Sequence, residues 1–155
     1  VVAYDPYAPA EVFQKLGVDS VSFDELLQIS DFVSLHSPLT PETKGLMNAE
    51  AFRKMKKTAY VVNTARGSLL DTAALVDECR AGRLFAILDV SEPEPLPADH
   101  PLRTLPNVMV TPHLAGSLGS EILRLTDSTL DEIARWRAAQ PLRFAVTPET
   151  LSLSA

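Results

Sequence analysis

The 155 residues are the length of one ordinary domain, and 46% apolar with 22% charged residues is the composition of a packed globular chain, not of a fibrous or disordered one. A net charge of −6 leaves no surplus of lysine and arginine to neutralise phosphates, so nucleic acid is not an expected partner. No apolar run reaches the roughly 18 residues that a bilayer span requires, the first residues do not read as a secretory signal, and the lone Cys79 has no internal disulfide partner, which fits a reducing cytoplasm.

In chain order, the residues from Val1 to Tyr4 predict a strand ending at Asp5. Such an opening in mid-sheet makes the chain read as incomplete on its N-terminal side. Residues 9–16 predict a helix closed by Gly17, and residues 23–29 another, capped by Ser22 with Glu25 three positions on. A strand is expected over 31–36, then a helix capped by Asn48 and running to about Met55. Residues 58–63 are Val-rich and predict a strand; Asp71 caps a helix that runs to about Ala81 and ends at Gly82. Two further strands are expected over 85–90 and 107–111, separated by the Pro-rich loop 93–106, and a long helix from Ser117 to about Ala139 is stopped by Pro141.

Short apolar strands alternating with helices imply βαβ crossovers, hence an α/β fold with a parallel sheet covered on both faces. The segment over 141–155 is polar and Pro-containing, and is expected to pack on something outside the chain or fray. Cys79 sits among helix-forming residues and reads as buried filler.

In open parallel sheets, ligands bind beyond the carboxyl ends of the strands. That edge collects Asp5, then His36, Ser37 and Pro38, then Thr64, Ala65 and Arg66, then Asp89, Glu92 and Glu94, then His113 and the small residues Ala115, Gly116 and Ser117. Asp5 is placed either to accept hydrogen bonds from a ribose diol, which favours NAD over NADP, or simply to start a turn before Pro6. The Gly-rich phosphate loop that precedes such an acid by about 20 residues is not in the chain. Arg66 has the planar fork that grips a carboxylate through two parallel bonds, or is an ordinary surface arginine in an ion pair. His113 can exchange a proton near neutral pH, with Glu92 or Glu94 available to fix its tautomer and hold it charged; the plainer reading is a capping or core histidine. His36 reads as structural, bonding nearby backbone, and His100 as solvated. No metal site is expected.

Five segments, in order, carry a resemblance: VVAYDP at 1–6, DFVSLHSPLTPET at 31–43, VNTARGSLLD at 62–71, LDVSEPEPL at 88–96 and TPHLAGS at 111–117. Together they resemble the D-isomer-specific 2-hydroxyacid dehydrogenases, over residues from Val1 to about Ala139. The resemblance implies a Rossmann-like, doubly wound parallel sheet, with an NAD-binding domain over 1–140 and a segment over 141–155 that returns to a substrate domain, NAD as cofactor, and hydride transfer between a D-2-hydroxy acid and a 2-keto acid. It implies Arg66 as the substrate-carboxylate arginine, His113 as general acid/base, and Glu94, followed by Pro95, as its partner in preference to Glu92. Asp5 corresponds to the ribose-binding acid and Asp89 to the acid that bonds the nicotinamide carboxamide. Ser37, Pro38, Thr64, Ala65, Arg66, His113, Ala115 and Gly116 correspond to further cofactor contacts. A homodimer through the cofactor domain is implied, as is a substrate domain lying mostly outside this chain, so that the isolated segment is expected to be inactive. The same family includes a transcriptional co-repressor that keeps the Arg/Glu/His set, so an NAD(H)-sensing scaffold is the alternative function. Two departures stand out: Ser91 occupies a position that is usually aromatic, and residues 84–88 are bulkier than the usual run of small residues.

Overall fold

The computed structural model describes residues 1–151 and divides into two compact units, Val1–Pro112 and His113–Ala155. Residues 152–155, the end of the expected C-terminal segment, lie outside the described residues.

In the first unit, β1 (Val2–Ala3) leads to α1 (Ala10–Leu16), β2 (Asp19–Ser20), α2 (Phe23–Ile29) and β3 (Phe32–Leu35). Then follow α3 (Ala49–Lys54), β4 (Ala59–Asn63), α4 (Thr72–Arg80), β5 (Leu84–Leu88) and β6 (Val108–Val110). β1 and β2 form a two-stranded parallel sheet, and β3-β4-β5-β6 form a four-stranded parallel sheet in that order. Each parallel step along the larger sheet crosses over through a helix or a long loop, as the alternating pattern demands.

The helix boundaries follow local chemistry. Ser22 Oγ accepts from the amide of Glu25, Asn48 Oδ1 from those of Glu50 and Ala51, and Asp71 Oδ1 from that of Ala74. Each side chain satisfies amides that the first helical turn leaves without an intrahelical partner. Gly17 closes α1 at φ 64°, in the left-handed region where glycine carries no Cβ penalty.

Apolar residues of α2, α3 and α4 cover one face of the larger sheet: Leu27, Phe52, Leu75 and Cys79 pack with Val33, Val61, Leu84, Ala86 and Leu88, all buried. Burying each large side chain of this set contributes about 1.5–3 kcal/mol before entropy is counted. Arg83, just before β5, ties this layer together. Its Nη1 donates to the carbonyl of Met55 at 3.0 Å, its Nη2 to that of Phe52, and its Nε pairs with Glu78.

The strands were expected to be buried evenly on both faces, and here the structure differs. Burial alternates along β3, β4 and β5. The second face carries Phe32, Tyr60 and Phe85 in a stack, with centroids 4.6 Å and 4.8 Å apart and Phe32 64% exposed. The bulk of residues 84–88 thus has a structural use: Leu84, Ala86 and Leu88 fill the core while Phe85 continues the stack on Tyr60.

The second unit contains α5 (Ser120–Arg137) and α6 (Pro148–Leu151). Helix α5 begins after Gly119, not at Ser117, because Gly119 takes φ 57° and breaks the run there. The described part of the segment after Pro141 makes hydrogen bonds to α5. The Glu132 carboxylate accepts from the amides of Arg143 at 3.0 Å and Phe144 at 3.3 Å, and Arg135 Nε donates to the carbonyl of Pro141 at 2.8 Å.

Candidate functional site

The register of the larger sheet builds the site. Leu35 lies opposite Asn63, Asn63 opposite Leu88, and Leu88 opposite Val110. The four strands are parallel and end level, so His36, Thr64, Asp89 and Thr111 each open a loop on the same carboxyl edge, where sheets of this kind bind ligands.

At the end of β4, the side chain of Asn63 is fully buried and folds the next loop around itself. Its Oδ1 accepts from the amide of Ala65 at 3.0 Å and its Nδ2 donates to the carbonyl of Arg66 at 2.8 Å. The backbone of Arg66 is thereby held, while its guanidinium is exposed and donates through Nη1 to the carbonyl of Ala65 at 2.7 Å. Among the described residues Arg66 has no carboxylate partner, so the ordinary surface ion pair does not account for it. Gly67 follows because nothing larger fits: a Cβ there would lie 2.1 Å from the carbonyl carbon and oxygen of Ser91. The same contact zone is braced by Ser68 Oγ, which donates to Glu92 Oε2 at 2.9 Å, and by Thr72 Oγ1, which donates to the carbonyl of Glu92 at 3.2 Å. Glu92 is thus tied to the arginine loop.

Asp89 begins the loop after β5 and is 4% exposed. Its amide donates to the carbonyl of Asn63 at 2.9 Å, and its Oδ1 accepts from the hydroxyl of Thr111.

Asp5 follows β1 and is exposed; its Oδ1 accepts from the amides of Tyr7 at 2.8 Å and Ala8 at 3.1 Å, so one carboxylate oxygen makes the turn that the Asp-Pro pair predicts. Ser37 and Pro38 are half-buried, and the carbonyl of Pro38 accepts from Thr43 Oγ1 at 2.6 Å, which braces their loop; Thr64 is exposed. His36 Nε2 lies 2.8 Å from Ser34 Oγ, a side-chain bond in place of the expected backbone contact. His100, expected to be solvated, caps the 3₁₀ turn Pro101–Arg103: its Nδ1 accepts from the amide of Leu102 at 3.3 Å. Cys79 is buried as expected, and burial, with the Glu78 carboxylate adding to it, pushes its thiol up to about 11.

Glu94 is exposed in the loop after β5, within the first unit; His113 opens the second unit, exposed at φ 56°, and Ala115 and Gly116 follow it there, also exposed. Among the described residues no cluster of three or more His, Cys, Asp or Glu could hold a metal ion. No helix of the described residues is long and apolar enough to cross a membrane.

Sequence reasoning passed over Asn63 as a mere neighbour of Arg66, and did not single out Thr111 at all. The available signal was position: each stands at or just past the last residue of a strand on the ligand-binding edge.

Comparison with known proteins bears on the fold and the family. Residues 1–115 match the family model described as D-isomer specific 2-hydroxyacid dehydrogenase, NAD binding domain. A D-3-phosphoglycerate dehydrogenase of Archaeoglobus fulgidus is 42% identical over 147 residues, covering 94% of this chain and 28% of the relative. A glyoxylate reductase of Thermofilum pendens is 52% identical over 101 residues, covering 64% of this chain and 30% of the relative. Among solved structures, the TT0316 protein of Thermus thermophilus superposes with a TM-score of 0.81 at 39% identity, over 95% of this chain and 46% of that one. The apo D-mandelate dehydrogenase of Rhodotorula graminis superposes with a TM-score of 0.85 at 33% identity, over 94% of this chain and 43% of that one. The chain therefore spans less than half the length of these relatives, and it belongs to the NAD-binding domain of the D-isomer-specific 2-hydroxyacid dehydrogenase family.

Proposed function

We propose that the protein is an NAD-dependent oxidoreductase that interconverts a D-2-hydroxy acid and a 2-keto acid. The observation that carries this reading is Arg66: an exposed guanidinium on the carboxyl edge of the sheet, with its backbone fixed by buried Asn63 and no carboxylate partner among the described residues. Such a group is prepared to take a substrate carboxylate through two parallel charge-assisted bonds. The donor set suits a dinucleotide. Asp5 at the end of β1 offers a carboxylate to a ribose diol, Asp89 at the end of β5 offers one to the carboxamide, and Ser37, Pro38, Thr64, Ala65, Ala115 and Gly116 supply polar groups and small residues for the rest. When bound, the nicotinamide supplies or accepts the hydride.

In this reading His113 gives a proton to the carbonyl oxygen during reduction and takes it back from the hydroxyl during oxidation, as general acid and base. Glu94 is the acid that the family resemblance assigns as its partner. Arg66 orients the carboxylate, and its charge polarises the substrate. The family resemblance extends this reading to a homodimer through the cofactor domain and to a cytoplasmic location; light scattering of the intact protein tests the first.

The deciding experiment is oxidation of NADH by the intact protein in the presence of a panel of 2-keto acids, including glyoxylate and hydroxypyruvate. Turnover is expected with at least one. Tight NADH binding without turnover of any of them would replace the enzyme reading with that of an NAD(H)-sensing scaffold.

A further inference from the structure

We propose that Glu92 is a positioning residue for substrate capture: its carboxylate clasps the turn that follows Arg66 and so helps to fix where the guanidinium stands. The inference rests on the role proposed above for Arg66 and adds a residue to it.

Glu92 is exposed in the loop after β5, and its Oε2 accepts from Ser68 Oγ at 2.9 Å. Ser68 stands two residues after Arg66, in the 3₁₀ turn Gly67–Leu69. The carbonyl of Glu92 accepts a second bond, from Thr72 Oγ1 at 3.2 Å, at the start of α4. Gly67 lies so close to the backbone of Ser91 and Glu92 that no Cβ fits there. The segment before α3 holds the same turn through its backbone. The amide of Gly45 donates to the carbonyl of Ser68 at 2.9 Å, and that of Met47 to the carbonyl of Leu69 at 3.0 Å. Ser68 is therefore pinned through its carbonyl by one loop and through its hydroxyl by another. Asn63 holds the chain at Ala65 and Arg66, and Glu92 holds it directly after. The Arg66 guanidinium is exposed and bonds the carbonyl of its own neighbour, Ala65. The placement of its backbone thus governs where the fork can reach, and two-pronged capture of a carboxylate tolerates little misplacement. A carboxylate acceptor makes the clasp stronger than a neutral one would.

The test uses the intact protein, NADH and a 2-keto acid that the panel shows to be turned over. KM for that acid, kcat, NADH affinity and melting temperature are measured together. Glu92→Ala is expected to raise KM about three- to tenfold, the scale of one hydrogen bond, with kcat and NADH affinity within about twofold of the parent. A role confined to stability would lower the melting temperature and leave KM as it was, and that result would overturn the proposal. Ser68→Ala removes the donor of the same bond. It is expected to raise KM by a similar factor, and the double variant no further, because the two groups form one contact. Ser68→Ala also carries the reading should Glu92→Ala not fold. Glu92→Gln keeps a carbonyl oxygen for the Ser68 hydroxyl and is expected to hold KM within about twofold of the parent. Effects that multiply in the double variant, or a glutamine variant as impaired as the alanine one, would equally sink the proposal. Arg66→Ala separates the two levels of the argument. An unchanged KM in Arg66→Ala, or turnover of no keto acid at all, removes the role of Arg66 and that of Glu92 with it. If KM rises in Arg66→Ala but not in Glu92→Ala, only the role of Glu92 falls.

Discussion

The carbonyl of Asn63 accepts the amide of Asp89 at 2.9 Å while the side chain of the same Asn63 holds Ala65 and Arg66. One buried residue therefore anchors both the arginine loop and the backbone of the acid after β5. Replacing it by leucine conserves volume but leaves the amide of Ala65 and the carbonyl of Arg66 without their partner. Each unsatisfied buried group costs about 1–3 kcal/mol. Asn63→Leu is expected to lower the melting temperature and also kcat/KM for the keto acid. Wild-type kcat/KM in this variant would mean that Asn63 does not hold the arginine loop.

Gly67→Ala tests the close approach of two loops. The added methyl would meet the Ser91 carbonyl carbon and oxygen at 2.1 Å and the Glu92 nitrogen at 2.7 Å, all backbone atoms that cannot swing aside. A destabilisation of roughly 1–3 kcal/mol is expected, typical of overpacking, together with reduced turnover because Arg66 is the adjacent residue. Denaturant unfolding measures the first effect and steady-state kinetics the second.

Arg66→Lys keeps the charge and loses the fork. Since charge-assisted bonds contribute about 1.5–3 kcal/mol, kcat/KM is expected to fall by about 10- to 100-fold, mainly through KM, and further in Arg66→Ala. A lysine variant with the parent's kcat/KM would show that bidentate capture of a carboxylate is not its task.

His113→Ala is expected to lower kcat by about 10²–10⁴-fold while leaving NADH affinity within severalfold. Full activity of this variant would end the assignment of His113 as acid and base. Glu94→Gln is expected to lower kcat in steady-state kinetics, and an unchanged kcat would remove Glu94 from the catalytic set.

Cys79 makes a prediction about pH. Burial raises its thiol from 9.0 to about 11, so the folded chain favours the neutral thiol more than the unfolded chain does. That contribution to stability is complete below the titration of a free thiol, and it is lost as pH rises through about 11. Native protein should react slowly with thiol reagents and rapidly once unfolded. Fast labelling of the native state would contradict the burial.

The helix caps were readable in advance because they are local. Ser22, Asn48 and Asp71 each reach an amide two or three residues away, so the chain carries the instruction in one short stretch. Strand β2 was not readable, since Asp19 and Ser20 have neither alternation nor apolar character and become a strand only by pairing with Val2 and Ala3. The same limit hid Thr111 and the tight fit of Gly67, whose partners Asp89 and Ser91 come from a different strand–loop junction. The alternating burial of β3 to β5 was missed because Phe32, Tyr60 and Phe85 look like core residues in a string of letters. They lie on the sheet face that the three helices do not cover.

The aromatic residues are also partitioned in a way that helps any spectroscopic study. The one tryptophan, Trp136, sits in α5 and is 71% exposed, whereas Tyr60 stacks between Phe32 and Phe85 in the larger sheet. Indole emission therefore reports on the second unit and phenol absorbance largely on the first. Melting can be followed in each unit of the unlabelled protein, without introducing a dye.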